Sequence, residues 1–139
     1  MENKFKRLVL LGSTGSIGQQ PLDIVRAFKD KLQVTGLACG NNTDLFLQQV
    51  REFNPPLAHC AAGSRLPAGV LQVTMEEMAA HPEVDMVIVA TTGKAGLKPA
   101  MAALQAGKTV AIANKEILVM AGALLKQLAE QHKGTILPI

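Results

Sequence analysis

Apolar runs of strand length alternate with amphipathic stretches along the whole chain, and this alternation predicts its fold. Residues 7–12 (RLVLLG) read as a first buried strand. Residues 16–29 carry Ile17, Leu22, Ile24, Val25 and Phe28 at mostly helical spacing, which predicts a helix. Residues 32–40 (LQVTGLACG) form a second strand that ends in a Gly-Asn-Asn turn signal. Thr43 is placed to cap a helix running to about Phe53, which Asn54-Pro55-Pro56 stops. Residues 57–60 read as a short strand, 61–69 as a loop, 70–73 as another short strand and 75–80 as a helix of one to two turns. A buried strand follows at 84–90 (VDMVIVA), then a helix over 95–106 closed by Gly107, and a strand over 109–113 (TVAIA). A long helix spans 115–132, with a break expected at Gly122 and a stop at Gly134, and 135–139 begin a last strand.

A strand–helix–strand rhythm at this spacing is the pattern of right-handed βαβ units. The expected fold is α/β: a doubly wound, mostly parallel sheet in three αβα layers, with residues 1–139 as one domain and no internal repeat. Composition agrees. Apolar residues are 48% of the 139 and charged residues 18%, below the usual quarter, as suits a sheet buried on both faces.

Charge narrows the partners. The formal net charge is +3, the basic residues are scattered, and the densest cluster is Lys4, Lys6 and Arg7. Without Trp, Tyr or a basic run interleaved with aromatics, nucleic acid is not an expected partner. Cys39 and Cys60 lie in apolar contexts without CxxC spacing and read as small buried hydrophobes. Residues 1–7 are too polar for a signal peptide and no apolar run reaches ~18 residues, so the expectation is no membrane and a reducing cytoplasm.

The strongest chemical signal is Gly12-Ser13-Thr14-Gly15-Ser16-Ile17-Gly18, a GxxGxxG variant at the end of the first strand that opens the first helix. Glycines let bare amides approach a pyrophosphate and let helix and strand pack closely. The helix N-terminus then offers unpaired N–H groups and partial positive charge, to which Thr14 and Ser16 add hydroxyls. The alternative is a glycine-rich turn with no ligand. Gln19 and Gln20 stand where a P-loop would need Lys-Ser/Thr, which argues against a nucleotidase.

The second strand ends Cys39-Gly40-Asn41-Asn42-Thr43, with no carboxylate to bind ribose hydroxyls or repel a 2′-phosphate and no cation to attract one. Amides at Asn41 and Asn42 favour NADPH, the alternative being turn and cap chemistry alone. Ala113-Asn114-Lys115-Glu116 follows a strand at the edge where open α/β sheets bind ligands. Asn114 reads equally as a helix cap, with Glu116 facing the helix dipole and Lys115 solvated. Thr91-Thr92-Gly93 ends another strand at that edge.

Together, LGSTGSIG (11–18), the GNN turn (40–42), ATTGKAGLKPAMAALQAGKTVAIANKE (90–116) and Leu137-Pro138 resemble the 1-deoxy-D-xylulose 5-phosphate reductoisomerase family over essentially the whole chain. The resemblance implies the N-terminal NADPH-binding, Rossmann-like domain of an enzyme of the non-mevalonate isoprenoid pathway. That enzyme rearranges 1-deoxy-D-xylulose 5-phosphate and reduces the product to 2-C-methyl-D-erythritol 4-phosphate, using NADPH and a divalent metal (Mg or Mn). It implies that Thr14, Gly15, Ser16 and Ile17 hold the cofactor phosphates and that Gly40, Asn41 and Asn42 meet the adenosine ribose phosphate. Asn114 and Glu116 approach the nicotinamide, and Lys115 contacts the phosphorylated sugar substrate. No catalytic residue or metal ligand is assigned within the chain. In the family, the segment matching Leu137-Pro138-Ile139 runs into an Asp-Ser-Glu motif that binds the metal. The catalytic part and C-terminal helical domain are expected beyond this chain, which is expected to be inactive alone, and the full-length enzyme is expected to be a homodimer. Two departures stand out: the family often has Lys or Arg at Asn41, and usually Ser at Ile117. Two other readings are the Rossmann half of another dehydrogenase, such as a semialdehyde or homoserine dehydrogenase, and a non-catalytic nucleotide-sensing module.

Overall fold

A computed structural model describes residues 5–41, 43–60 and 66–138. The elements run β1 (Lys6–Leu11), α1 (Ser16–Ala27), β2 (Leu32–Cys39), α2 (Thr43–Phe53), β3 (Leu57–Cys60), β4 (Leu71–Gln72), α3 (Met75–Ala79), β5 (Met86–Val89), α4 (Leu97–Gln105), β6 (Thr109–Ile112), α5 (Lys115–His132) and β7 (Thr135–Pro138). The strands form one seven-stranded sheet in the order β4-β3-β2-β1-β5-β6-β7, each pair parallel. The chain winds outward from β1 to β4, then returns to β5 on the other side of β1. The β1/β5 boundary is therefore the topological switch point.

Side-chain alternation along the strands divides the interior into two cores. Leu8 and Leu10 of β1 face Leu22 and Val25 of α1 and Phe46 and Val50 of α2. Val9 and Leu11 face the opposite layer, with Met78 of α3, Ala103 and Leu104 of α4, and Ile117 and Leu125 of α5. Each large side chain removed from water here contributes roughly 1.5–3 kcal/mol. Both faces are covered, which is why the strands read as unbroken apolar runs. Opposite β1, the register jumps between Leu8 and Val9, so that Thr35 of β2 is skipped and Gly36 pairs with Val9.

Expected and observed boundaries differ mainly at strand ends. The predicted strand over 84–90 narrows to β5, although the Ala90 N–H still donates to the Leu11 carbonyl at 2.8 Å. The break expected at Gly122 falls one residue earlier, where Ala121 (φ −138°, ψ 18°) leaves helical geometry inside α5. The stop expected at Gly134 is also displaced: Lys133 takes the left-handed conformation (φ 60°) that ends α5. Most of the expected 61–69 loop, residues 61–65, lies outside the described residues, as do Asn42 and the side chain of Thr43.

Cys39 and Cys60 are buried register partners on β2 and β3, their sulfurs 2.9 Å apart and not joined in a disulfide. Burial, reinforced by the Cys60 contact, pushes the Cys39 thiol far above its usual range. It therefore stays protonated and packs as a small apolar group.

Candidate functional site

The chain after β1 turns sharply because Gly12 holds φ 86°, and only glycine fits there. A Cβ at Gly12 would stand 2.7 Å from the backbone C and O of Ala90. Residue 12 thus lets the turn lie directly against the end of β5. Both Gly12 and Ser13 donate their N–H groups to the Ala38 carbonyl, at 2.9 and 3.0 Å. Two side chains brace the same turn: Gln49 Nε2 of α2 donates to the Ser13 carbonyl at 2.9 Å, and Gln19 Nε2 to the Thr14 carbonyl at 3.0 Å.

α1 begins at Ser16 with Gly15 as its N-cap, and no side chain caps it. Its first turn carries no acidic residue. The opening N–H groups of a helix lack intrahelical acceptors, so this end presents bare donors and partial positive charge. Gly18 lets the helix start so near the turn: a Cβ there would fall 1.8 Å from the Gly12 carbonyl oxygen.

A cleft of about 310 Å³ opens at this point, across the switch point. Gly12, Thr14 and Gly15 form its glycine-turn side, Ala38 to Asn41 the end of β2, and Ala90 to Thr92 with Ala95 the end of β5. Met75 of α3 closes the remaining wall. The volume lies at the lower end of the range of small-molecule pockets. A Cβ at Gly40 would meet nothing within 4 Å, and one at Gly15 only the Gly12 oxygen, at 3.7 Å. Both glycines leave room beside the cleft rather than packing against protein.

Of the residues singled out from sequence, Thr14, Gly15, Gly40 and Asn41 line this cleft. Ser16 and Ile17 occupy the exposed first turn of α1, Ile17 being 51% exposed. Lys115 and Glu116 are exposed at the start of α5, beyond the end of β6 on the same sheet edge. Asn114 is buried, and its side chain is fully engaged. Its Oδ1 accepts from the N–H groups of Glu116 (2.8 Å) and Ile117 (3.4 Å), while Nδ2 donates to the carbonyls of Thr91 and Gly93, both at 2.8 Å. It caps α5 and pins the loop after β5. Met75, Ala95 and Gln49 were not singled out from sequence; Gln49 looks like any helix-surface amide until the fold turns it onto the Ser13 carbonyl. Among the described residues, no three His, Cys, Asp or Glu side chains come together to hold a metal ion.

A parallel, doubly wound sheet with a glycine turn and an uncapped helix start at its switch point defines the Rossmann-like class of dinucleotide-binding folds. The family model for 1-deoxy-D-xylulose 5-phosphate reductoisomerase matches residues 8–122, and the chain belongs to that family. A curated reductoisomerase from Pelotomaculum thermopropionicum is 45% identical over 147 residues, an alignment covering 96% of this chain and 38% of that relative. The solved structure of a DOX-P reductoisomerase in complex with NADPH, fosmidomycin and magnesium superposes with a TM-score of 0.86 at 33% identity, covering 96% of this chain and 36% of the other. The Zymomonas mobilis enzyme in complex with NADPH gives 0.85 at 31% identity, covering 97% and 39%. The chain thus spans a little over a third of the length of the relatives it matches.

Proposed function

We propose that this chain binds NADPH across the switch-point cleft, as the cofactor domain of a reductoisomerase acting on 1-deoxy-D-xylulose 5-phosphate. The observation that carries the reading is the uncapped start of α1 beside a glycine-lined cleft, in a chain whose solved relatives include NADPH complexes. The amides of Ser16 and Ile17, with the hydroxyls of Thr14 and Ser16, receive the phosphates. Gly40 and Asn41 meet the ribose phosphate, where no carboxylate repels it; Asn42 lies outside the described residues.

When bound, the cofactor supplies a hydride. The protein's own groups orient it: Asn114 fixes the carbonyls of Thr91 and Gly93, and so the strand-end loop against which the nicotinamide half lies. Glu116 flanks that half, and Lys115 offers a cation to a phosphorylated sugar. The divalent metal, the homodimer and the cytoplasmic setting belong to this proposal through the family.

The test is a titration of the chain with NADPH and NADH, followed by the fluorescence of the reduced nicotinamide. Saturable binding that favours NADPH supports the reading. Equal affinity would remove Asn41 and Asn42 as discriminators of the 2′-phosphate. A folded chain that binds neither would refute the proposal.

A further inference from the structure

We infer that Met75 is the adenine platform of the cleft, and that α3 serves to hold it there. The inference rests on the NADPH reading and extends it to the base. The cleft has two ends, distinguished by chemistry. Toward Gly12 to Gly15 it is built of turn backbone and a helix start, suited to phosphate. On the β2 side, beneath Gly40 and Asn41, it is lined by the apolar Ala38 and Cys39, and Met75, half-buried, adds a further apolar surface from α3. In a doubly wound fold the ribose nearest the end of the second strand is the adenosine ribose, so the apolar wall lies where the base must go. Among the described residues Met75 is the one large, flexible side chain lining the cleft, and a thioether makes favourable contact with an aromatic ring.

The placement of Met75 is built rather than incidental. Thr74 and Glu77 form a reciprocal capping box: the Glu77 N–H donates to Thr74 Oγ1 at 3.1 Å, and Glu77 Oε1 accepts from the Thr74 N–H at 3.2 Å. One turn later, Met78 is fully buried against Gly36 of β2, where a Cβ would stand 2.6 Å from its sulfur. The missing side chain at Gly36 is the socket that seats α3 on the sheet. With its start capped and Met78 socketed, this five-residue helix has one position, and that position sets Met75 at the cleft.

The experiment compares the 139-residue wild type with Met75→Ala and Met75→Leu, using three ligands. NADPH contains both halves of the cofactor, 2′,5′-ADP only the adenosine half, and reduced nicotinamide mononucleotide only the other. Met75→Ala is expected to weaken NADPH and 2′,5′-ADP by the same factor, about tenfold, and to leave the mononucleotide unchanged. Met75→Leu, which keeps bulk and packing, is expected to stay within about threefold of wild type and serves as the folded comparison if the alanine variant melts early. A Met75→Ala protein that binds 2′,5′-ADP like wild type overturns the inference. So does equal weakening of both halves, which would mean that Met75 supports the fold only. Failure of the wild type to bind NADPH at all would instead sink the functional reading on which this one rests.

Discussion

Gly18 and Gly15 lie three residues apart in one motif, and a side chain would meet opposite surroundings at the two. A Cβ at Gly18 would stand 1.8 Å from the Gly12 carbonyl oxygen and 2.8 Å from its carbon, whereas ordinary contact begins at 3.4 Å. The obstacle is backbone, so no rotamer change relieves it, and α1 would have to retreat from the turn by about 1.6 Å. Overpacking of this kind costs about 1–3 kcal/mol; with fixed backbone on both sides the upper end applies. Alanine recovers about 1 kcal/mol through helix propensity, leaving a net loss of about 2 kcal/mol. For a domain of this size, that lowers Tm by roughly 8 °C.

Gly15 has φ −73° and ψ 165°, which any residue adopts, and its Cβ would lie 3.7 Å from the nearest atom. Gly15→Ala should therefore melt within about 0.5 kcal/mol of wild type, as substitutions away from packing constraints do. Its methyl would stand beside the cleft, and NADPH affinity should drop at least ~10-fold, the equivalent of about 1.4 kcal/mol of lost approach. Circular dichroism melts and the fluorescence titration read the two effects separately. A Gly18→Ala protein melting with wild type would refute the close-approach argument. A Gly15→Ala protein that binds NADPH normally would refute the placement of phosphate.

Asn114→Ala should cost about 2–3 kcal/mol by thermal melt, since it removes a helix cap and leaves the two loop carbonyls without their donor. Asn114→Asp keeps the cap oxygen but sets a carboxylate oxygen against the Thr91 and Gly93 carbonyls, so the loop should shift and cofactor binding should fall even though α5 keeps its cap; unchanged binding would count against a positioning role. Lys133→Gly should raise stability by about 1 kcal/mol, because a left-handed backbone burdens every residue with a Cβ, and a fall in Tm would contradict this. The Asp85 carboxyl sits below its usual range: burial opposes ionisation, but the Arg7 N–H (2.8 Å) and guanidinium (3.4 Å), with the Lys108 charge, outweigh it. Its folded pKa being depressed, the stabilisation is present above the ordinary carboxylate value of about 4 and is lost as pH falls through the folded value. With both side chains more than a third exposed it amounts to less than about 1 kcal/mol. Asp85→Asn should flatten that acid-side slope in urea melts, and an unchanged slope would assign it elsewhere.

The order and type of the elements were legible because the sheet is buried on both faces. Runs such as VLL at 9–11 and MVIV at 86–89 have no polar alternation to confuse them with surface strands. The glycine turn was legible for a related reason, since its residues are chosen for what their absent side chains permit. Positions where distance in sequence becomes contact in space were not. Met75 belongs to a five-residue helix too short to show periodicity, although Thr74-x-x-Glu77 marks its start. Asn114 was legible as a cap, but its second bond set runs to Thr91 and Gly93, more than twenty residues away. Lys133 misled because Gly134 follows it. That glycine serves close packing, its Cβ position lying 3.0 Å from Leu104 and 3.1 Å from the Lys108 carbonyl.

The helix starts show how the fold separates stability from binding. α3 is closed by a capping box and α5 by Asn114, so part of the opening donor set of each is satisfied from within the chain. α1 has no side-chain cap, and neither does α4 behind Gly96, but only α1 opens from the glycine turn that lines the cleft. Serine, aspartate or asparagine at residue 15 would supply one for a few tenths of a kcal/mol over glycine, and the backbone there already has the extended geometry a cap needs. The turn is otherwise held by the Ala38 carbonyl, Gln49 and Gln19. Its rigidity therefore does not depend on a cap, and the donors of α1 stay available at fixed positions. Little conformational entropy remains to be lost when an anion arrives, which is the condition under which a few backbone amides bind phosphate well. The rest of the discrimination must come from side chains at the rim of the cleft. On the proposed reading, Asn41 is where preference for NADPH over NADH can be set without disturbing the turn, whereas Met75 would act alike on both cofactors, which share the adenine.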